Sequence, residues 1–291
     1  MSVVYFTKDI SPQGLLKAYE ALGAELKGRV AVKISTGEPG GRNFLQPALI
    51  APLVQKLQGV IVECNTAYPG RRDTSQAHWE TFRDHGFLEI APCDLMDEEG
   101  DMSLPVEGGV RIRENFVGTH LKNYGSMLVL SHFKGHPMAG LGGALKNLSI
   151  GVASSRGKQW IHTAGSGETS FEALMNADLD AFLESMADAD KAVMDFMGRE
   201  NIVYVNVANR LSVDCDCCAQ PAEPEMMDIG IFASLDPVAV DQACVDAVYA
   251  SPDPGKAALI ERMETRHGVH TIQAAEALGL GSRTYQRKEL D

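Results

Sequence analysis

The sequence has no long apolar run that would suit a membrane. Its longest apolar stretches, such as SMLVLSHF, fall far short of the ~20 residues that a membrane-spanning helix requires. The first ten residues, MSVVYFTKDI, contain no basic segment followed by an apolar one, so no signal peptide is predicted. These absences predict a cytoplasmic protein without a membrane partner.

Basic residues are scarce as well. The chain carries 26 of them against 39 acidic residues, which gives a formal net charge of −13. Proteins that bind nucleic acid need clusters of lysine and arginine to neutralise phosphates, so this balance argues against a nucleic-acid partner. One local basic segment is GRRD, at residues 70–73.

Strand-like and helix-like segments alternate along the chain. RVAVKIS and GVIVECN predict strands, and PALIAPLVQKLQ between them predicts a helix. Such alternation predicts an α/β fold with a mostly parallel or mixed sheet flanked by helices. SMLVLSHF is typical of a central buried strand, whereas LEIAPCDL and VRIRENFV alternate like exposed strands.

From Pro237 onward three helical segments follow one another: PVAVDQACVDAVYA, GKAALIERMETRHG and TIQAAEALG. The chain has no internal repeat, low-complexity tract or clear linker. We therefore predict one interwoven α/β domain over residues 1–291 with a helical C-terminal end. If this domain has a sub-division, we expect its boundary near residues 120–130.

The run SHFKGHPMAGLGGALKNLSIG, at residues 131–151, is rich in glycine and nearly uncharged. Gly140, Gly142 and Gly143 would let the backbone approach a ligand, and we predict that they bind a cofactor together with Lys146 and Asn147. The spacing is neither a Walker A loop nor GxGxxG. A desolvated Lys146 would be a base, a nucleophile or a covalent anchor; the alternative is a structural lysine at a helix end.

Two further patterns indicate metal binding. His132 and His136 would share a face only in a helix, which Pro137 disfavours. In the segment DCDCC, at residues 214–218, Cys215, Cys217 and Cys218 place thiolates among carboxylates, as metal ions or clusters require. No second cysteine pair answers them, so redox-active or inert thiols remain alternatives.

The segment SLDPVAVDQAC, at residues 234–244, also has two interpretations. Pro237 suits the first turn of a helix, with Asp236 or Ser234 as its cap. Alternatively, Asp236 and Asp241 form a carboxylate pair that faces a cleft.

The loops after GVIVECN, SMLVLSHF and NIVYVNVA follow strands of the predicted sheet. Ligands of open α/β sheets bind at the carboxyl ends of strands. We therefore expect these loops to converge, so that Asn65, Lys146, His162 and the segment Cys215–Cys218 surround one cleft.

Taken together, the run at residues 131–151, VDCDC, MDIGIFASLDPVAVD, TAYPGRRDT and GLGSRTY resemble the family called domain of unknown function 362. Members of that family often carry a ferredoxin-like insert with four-iron clusters, and the resemblance implies an iron–sulfur or other metal centre. This chain lacks the C-x2-C-x2-C-x3-C-P run, so it has no such insert.

HPMAGLGGALK is distantly similar to the cofactor-site motif of lactate racemase. That resemblance implies that Lys146 anchors a nickel-pincer nucleotide, that His162 ligates nickel and that His136 is an acid or base. The sequence thus predicts a metal- or cofactor-binding protein that uses iron, zinc or nickel, or an iron–sulfur cluster, and takes a small-molecule or cofactor ligand, for which an anion is one candidate. Three functions stay open: an enzyme of unassigned reaction, a non-catalytic metal carrier or electron-transfer module, and a racemase-like enzyme acting on a small hydroxy acid.

Overall fold

An eight-stranded mixed sheet forms the centre of the molecule. The computed structural model describes the backbone of residues 1–291 and all side chains apart from those of Phe171 and Met175. The strands are β1 (Ser2–Thr7), β2 (Val30–Lys33), β3 (Val60–Glu63), β4 (Cys93–Leu95), β5 (Asp101–Pro105), β6 (Glu114–Gly118), β7 (Ser126–His132), β8 (Lys134–His136), β9 (Gly140–Gly142), β10 (Ile202–Ala208), β11 (Gly230–Ser234) and β12 (Tyr285–Glu289). The helices are α1 (Pro12–Ala21), α2 (Pro47–Lys56), α3 (Ser75–Asp84), α4 (Ala144–Val152), α5 (Ser155–His162), α6 (Phe171–Asn176), α7 (Leu179–Met197), α8 (Pro237–Ala250), α9 (Lys256–Thr265) and α10 (Val269–Ala277).

The strand order in the main sheet is β12-β1-β11-β10-β7-β2-β3-β4. From β10 through β7, β2 and β3 to β4 all neighbours are parallel, whereas β11 pairs antiparallel with both β10 and β1. Two hairpins, β5–β6 and β8–β9, lie outside this sheet. The predicted α/β class, with a mostly parallel or mixed sheet flanked by helices, is confirmed.

Apolar side chains pack on both faces of the sheet. Successive residues of a strand point to opposite faces, so Val203 and Val205 of β10 join one core while Tyr204 joins the other. The first core includes residues of α1, α2 and α3, and the second includes residues of α4, α7 and α8. Burial on both faces explains why the sequence of β7 is apolar almost throughout.

Two predicted strands are shorter than their patterns indicated. In VRIRENFV the strand begins only at Glu114, because the backbone N–H groups of residues 110–112 donate to the buried carboxylate of Asp188 instead of to a strand. In LEIAPCDL only Cys93–Leu95 is a strand, and Phe87–Glu89 form a 3-10 helix.

The C-terminal end is helical up to α10 and then returns to the sheet. Strand β12 pairs parallel with β1 at the edge of the sheet. Its sequence, YQRKE, is mostly exposed and charged, as is common on edge strands, so it lacks the apolar alternation by which strands are predicted. The predicted helical C-terminal region is confirmed by α8, α9 and α10, and β12 is an additional strand that the sequence did not indicate.

The glycine-rich run forms the β8–β9 hairpin and then helix α4, whose N-cap residue is Gly143. Asp241 of α8 supplies the cap that glycine lacks, because its carboxylate accepts the N–H of Ala144 at 2.7 Å and that of Leu145 at 3.0 Å. The Asn206 amide also donates to it, at 2.7 Å. A Cβ at residue 143 would lie 2.4 Å from the Asp241 carboxylate, so only glycine permits this contact.

The segment SLDPVAVDQAC therefore forms a capped helix, one of its two interpretations. Asp236 accepts the N–H groups of Val238 and Ala239, both at 2.9 Å, and Pro237 stands in the first turn of α8. Asp241 is fully buried and caps a second helix instead of pairing with Asp236 in a cleft.

We expect Asp241→Ala to lower the free energy of unfolding by roughly 3 kcal/mol, because three donors, two of them at a helix N-terminus, lose a buried charged acceptor. Denaturant unfolding would measure the loss. The exposed carboxylate of Glu261 offers the matched control, and Glu261→Ala should change stability by less than about 0.5 kcal/mol. Equal effects of the two substitutions would contradict the capping role.

Candidate metal and cofactor site

A cavity of 180 Å³ lies at the carboxyl ends of four parallel strands. Lys33 ends β2, Glu63 ends β3 and His132 ends β7, and all three line the cavity. The segment that follows β10 contributes Cys215 and Cys217. The structure thus brings together the three loops that the sequence analysis placed at one cleft, and adds the loop after β2.

Most of the residues that the sequence singled out face this space. Asn65 does not line it, although its neighbours Cys64 and Thr66 do, and neither Gly140 nor Cys218 lines it. The predicted residues that do line the cavity are His132, His136, Gly142, Gly143, Lys146, Asn147, His162, Cys215 and Cys217.

The glycines admit protein atoms as well as a ligand. Gly140 has φ +74°, and a Cβ there would lie 2.6 Å from the Cα of Gly268, so two backbones touch at this point. Gly143 makes room for Asp241, as described above. Gly142 is less crowded than these two, since a Cβ added there would lie 3.3 Å from the side chain of Lys134. Gly140 and Gly143 therefore each have a packing role, and the cofactor binding expected of these glycines stays a prediction.

Asn147 holds α4 against the sheet. Its side-chain amide donates to the carbonyl of Lys33 at 3.0 Å and to the Ser131 hydroxyl at 3.0 Å, and its oxygen accepts from Lys33 Nζ at 3.1 Å. These bonds use its polar atoms to join α4 to β2 and β7. Asn147 borders the cavity but is fixed by protein contacts.

His132 is also fully engaged. Its Nδ1 lies 2.9 Å from the Asp216 carboxylate, and its Nε2 lies 2.6 Å from the carbonyl oxygen of Asn209. Because both partners are acceptors, both ring nitrogens donate, and no lone pair is left for a metal. Lys134 pairs with the same carboxylate at 3.0 Å, and Asp216 thereby raises the pKa of Lys134 although burial opposes it.

His136 is held in one tautomer by its own loop. Its Nδ1 accepts the N–H groups of Met138 at 3.1 Å and Ala139 at 2.9 Å, so the proton of the neutral ring is on Nε2. Burial, followed by the charge of Lys146, lowers its pKa to about 4, which keeps the ring neutral. A ring nitrogen of His136 lies within 4.8 Å of the Cys215 sulfur, and His136 lowers the pKa of that thiol.

Cys215 and Cys217 share a hydrogen bond and differ in acidity. Hydrogen bonding from Cys217 lowers the pKa of Cys215 well below its usual value, and His136 and Lys134 add to this against the effect of burial. The same bond, together with burial, raises the pKa of Cys217. The backbone N–H of Cys217 also donates to Cys215 Sγ at 3.4 Å. These opposite shifts in pKa indicate a thiolate at Cys215 next to a thiol at Cys217.

His136, Cys215 and Cys217 could surround one metal ion, since their donor atoms lie within 4.8 Å of one another. The two sulfurs suit a soft or borderline ion such as zinc or iron. His136 fits less well, because its Nε2 carries a proton that ligation would have to displace. Cys218 is not in this group; its N–H donates to the carbonyl of Cys215, which closes the turn.

His162 has the opposite tautomer to His136. Its Nδ1 lies 2.6 Å from the carbonyl oxygen of Lys158, one turn earlier in α5, and must donate to it. Nε2 therefore keeps a lone pair and, among the described side chains, has no hydrogen-bond partner. Burial lowers the pKa of His162 to about 3, so the ring stays neutral. A ring oriented by a backbone carbonyl is the usual arrangement of a metal-binding histidine.

Lys146 stands in the first turn of α4, and its amine has no hydrogen-bond or ion-pair partner among the side chains and carbonyls that the structure describes. Burial, followed by the charges of Lys134 and Lys33, lowers its pKa, although Cys215 and Cys217 act in the opposite direction. An amine in these surroundings is free to bind or attack a ligand.

A buried ion-pair network, not predicted from the sequence, contributes Lys33, Glu63 and Arg72 to the lining of the cavity. Glu63 lies 2.8 Å from Lys33 and 3.5 Å from Arg72, and Arg72 also pairs with Glu38 at 2.9 Å. Burial alone would raise the pKa of Glu63, but Lys33 and Arg72 outweigh it and lower the pKa to about 2. The GRRD segment was the available signal for Arg72, while nothing local marks Lys33 and Glu63 as partners.

Residues 30–246 match the family described as Domain of unknown function (DUF362). The matched segment contains the four strand ends, α4, α5 and the three cysteines that line the cavity. The chain therefore belongs to this family, as its motifs indicated.

Two solved structures share features of the fold at low identity. The lactate racemase apoprotein from Thermoanaerobacterium thermosaccharolyticum is 12% identical, with a TM-score of 0.49 over 85% of this chain and 57% of that chain. A protein from Thermotoga maritima is 14% identical, with a TM-score of 0.47 over 82% of this chain and 58% of that chain. The chain thus spans less than two thirds of either protein.

No curated protein matches the sequence. None of the described helices is long and apolar enough to cross a membrane.

Acid should remove the stabilisation that Glu63 contributes. Its pKa falls from an ordinary 4.5 to about 2 in the folded protein, so its contribution, about 3 kcal/mol, is present above pH 4.5 and is lost as the pH falls towards 2. Unfolding by denaturant between pH 2 and 7 should show wild type and Glu63→Gln converging by this amount at low pH. Glu20→Gln, in an exposed pair with Lys56, should show no such convergence.

The thiol pair predicts cysteine-dependent metal binding. Protein purified without oxygen should contain iron or zinc, and Cys215→Ser with Cys217→Ser should remove most of it, because serine is a poor ligand for these ions. Elemental analysis measures the metal per chain. Cys93→Ser, which lies away from the cavity on β4, should keep the wild-type content. Equal metal in wild type and double variant would reject the thiol pair as the site.

Proposed function

We propose that the protein is a cytoplasmic enzyme that binds a metal ion or a metal-containing cofactor in this cavity and acts on a small anionic molecule. The observation that carries the proposal is the unpartnered amine of Lys146 in the same enclosed space as the Cys215–Cys217 thiol pair. Enclosing such an amine without a partner costs free energy that a bound ligand would offset. Groups with strongly shifted pKa values also concentrate at functional sites.

Each polar group has a distinct task in this proposal. Lys146, whose lowered pKa favours the nucleophilic neutral amine, anchors the cofactor. The two thiols supply soft metal ligands. His136, neutral with its single proton on Nε2, donates a hydrogen bond to a reacting atom, while His162 offers a bare Nε2. A metal held there would act as a Lewis acid towards the substrate.

A nickel-containing nucleotide of the pincer type is the finer form of this proposal, with racemisation of a small hydroxy acid as the reaction. It is favoured by the bare nitrogen of His162, which lies outside the group formed by His136, Cys215 and Cys217. A single ion held by both cysteines does not reach a ligand beyond that group. A larger cofactor anchored on Lys146 extends further.

The second candidate is a metal or iron–sulfur carrier without catalysis. The concentration of three cysteines in DCDCC favours it, and free thiols suit a reducing compartment. Metal content alone does not separate the candidates, because both predict it. Turnover of a small acid by the metal-loaded protein would favour the enzyme.

Replacement of Lys146 tests the anchor. Lys146→Ala should abolish cofactor binding while changing the free energy of unfolding by no more than about 1 kcal/mol, as for a residue outside the core. Lys146→Arg should fail almost as completely, because a planar guanidinium does not replace a nucleophilic amine. Intact mass of protein isolated without oxygen would report any covalent adduct, and Lys56→Ala, at the surface, is the control.

Two outcomes would contradict this role. Retention of the cofactor by Lys146→Arg would exclude a covalent bond and leave simple charge attraction. Unfolding of Lys146→Ala would mean that Lys146 is a structural residue.

A further inference from the structure

Lys158 is a second cavity lysine without a carboxylate partner. It lies on α5, lines the cavity and is only 7% exposed. Its Nζ donates to the carbonyl of Ala153 at 2.5 Å and lies 3.5 Å from that of Cys64. An ammonium group has three N–H donors, so at least one remains for a ligand.

Apart from Lys146, the other buried cations around the cavity are neutralised within the protein. Lys33 pairs with Glu63, Lys134 with Asp216 and Arg72 with Glu38, at 2.8, 3.0 and 2.9 Å. Lys158 has no ion pair among the described side chains. Asp97 and Glu63 act on it only from a distance, and burial leaves its pKa lowered. The charged amine of Lys158 therefore has no negatively charged partner among these side chains to balance it.

The position of Lys158 relative to His162 indicates where a negatively charged ligand of Lys158 would lie. The two residues are four apart on α5, and His162 Nδ1 donates to the carbonyl of Lys158. Residues four apart on a helix lie on one face, with roughly 5–6 Å between their Cβ atoms. A ligand bound at Lys158 therefore occupies the same cavity, on the same face of α5, as the bare Nε2 of His162.

We propose that Lys158 binds the oxyanion of the substrate, a carboxylate or a phosphate, and holds the rest of the molecule against His162 and Lys146. This inference rests on the proposed function and specifies its substrate as an anion bound through one lysine. The oxyanion completes the charge balance of Lys158 and accepts its remaining N–H. Arg72 is not available for this task, because its charge is already balanced by Glu38 at 2.9 Å and Glu63 at 3.5 Å.

Two substitutions separate anion binding from a structural role. Lys158→Gln keeps an N–H donor for the carbonyl of Ala153 but removes the charge, and Lys158→Met removes both. If Lys158 only holds the end of α4, Gln should behave like the wild type. If it binds an oxyanion, Gln and Met should both fail.

The probes are acetate and inorganic phosphate, titrated separately into metal-loaded protein and followed by calorimetry. We expect the wild type to bind one of them, and its preference identifies the oxyanion as carboxylate or phosphate. Lys158→Gln and Lys158→Met should bind it at least roughly tenfold more weakly, as loss of a charge-assisted hydrogen bond predicts. Lys56→Met, a surface change of equal charge, should bind like the wild type.

Wild-type affinity in Lys158→Gln would overturn the inference, and so would wild-type protein that binds neither probe. Metal content keeps this test apart from that of the proposed function. Lys158→Gln should retain the wild-type metal, whereas absence of metal from the wild type would be a failure of the proposed function itself. If Lys158→Met does not fold, the Gln variant still decides.

Discussion

The contact between the Asp241 carboxylate and the first turn of α4 fixes the geometry of the candidate site. Without it, the helix that carries Lys146 and Asn147 would start at a glycine with no cap. Gly143 leaves room for the carboxylate, and Asn147 then joins the helix to two strands. Burial raises the pKa of Asp241 to about 6, so this contact is made at some cost in desolvation. The buried carboxylate of Asp241 thus positions α4 at the expense of its own desolvation.

Backbone hydrogen bonds divide the cavity chemically. His136 accepts from two backbone amides and so presents a proton, whereas His162 donates to a backbone carbonyl and so presents a lone pair. Cys215 and Cys217 divide in the same way into a thiolate and a thiol. The site therefore contains proton donors and acceptors in fixed places before any ligand arrives. Main-chain geometry, more than the side chains themselves, assigns these tasks.

Local patterns predicted the fold and the location of the site, but not its internal partners. The continuous apolar run of β7 and the proline-led helix α8 were visible in the sequence because burial and capping act within a few residues. The charged strand β12 was missed, since edge strands need no apolar face. The pairing of Lys33 with Glu63 was also invisible. Lys33 and Glu63 come together only when β2 and β3 pair, and the spacing of residues along the sequence does not indicate that pairing.

The cation-lined cavity lies inside a protein whose net charge is −13. An approaching anion is repelled by the net charge of the molecule at long range and is attracted by the amine of Lys158 only within the cavity. Added salt would screen the first force, which acts beyond the Debye length of about 8–10 Å, more than the second. The charge of the exterior thus affects the rate of association more than the affinity. Higher ionic strength would speed the encounter of anions with the protein, while the affinity of the enclosed lysines for them changes little.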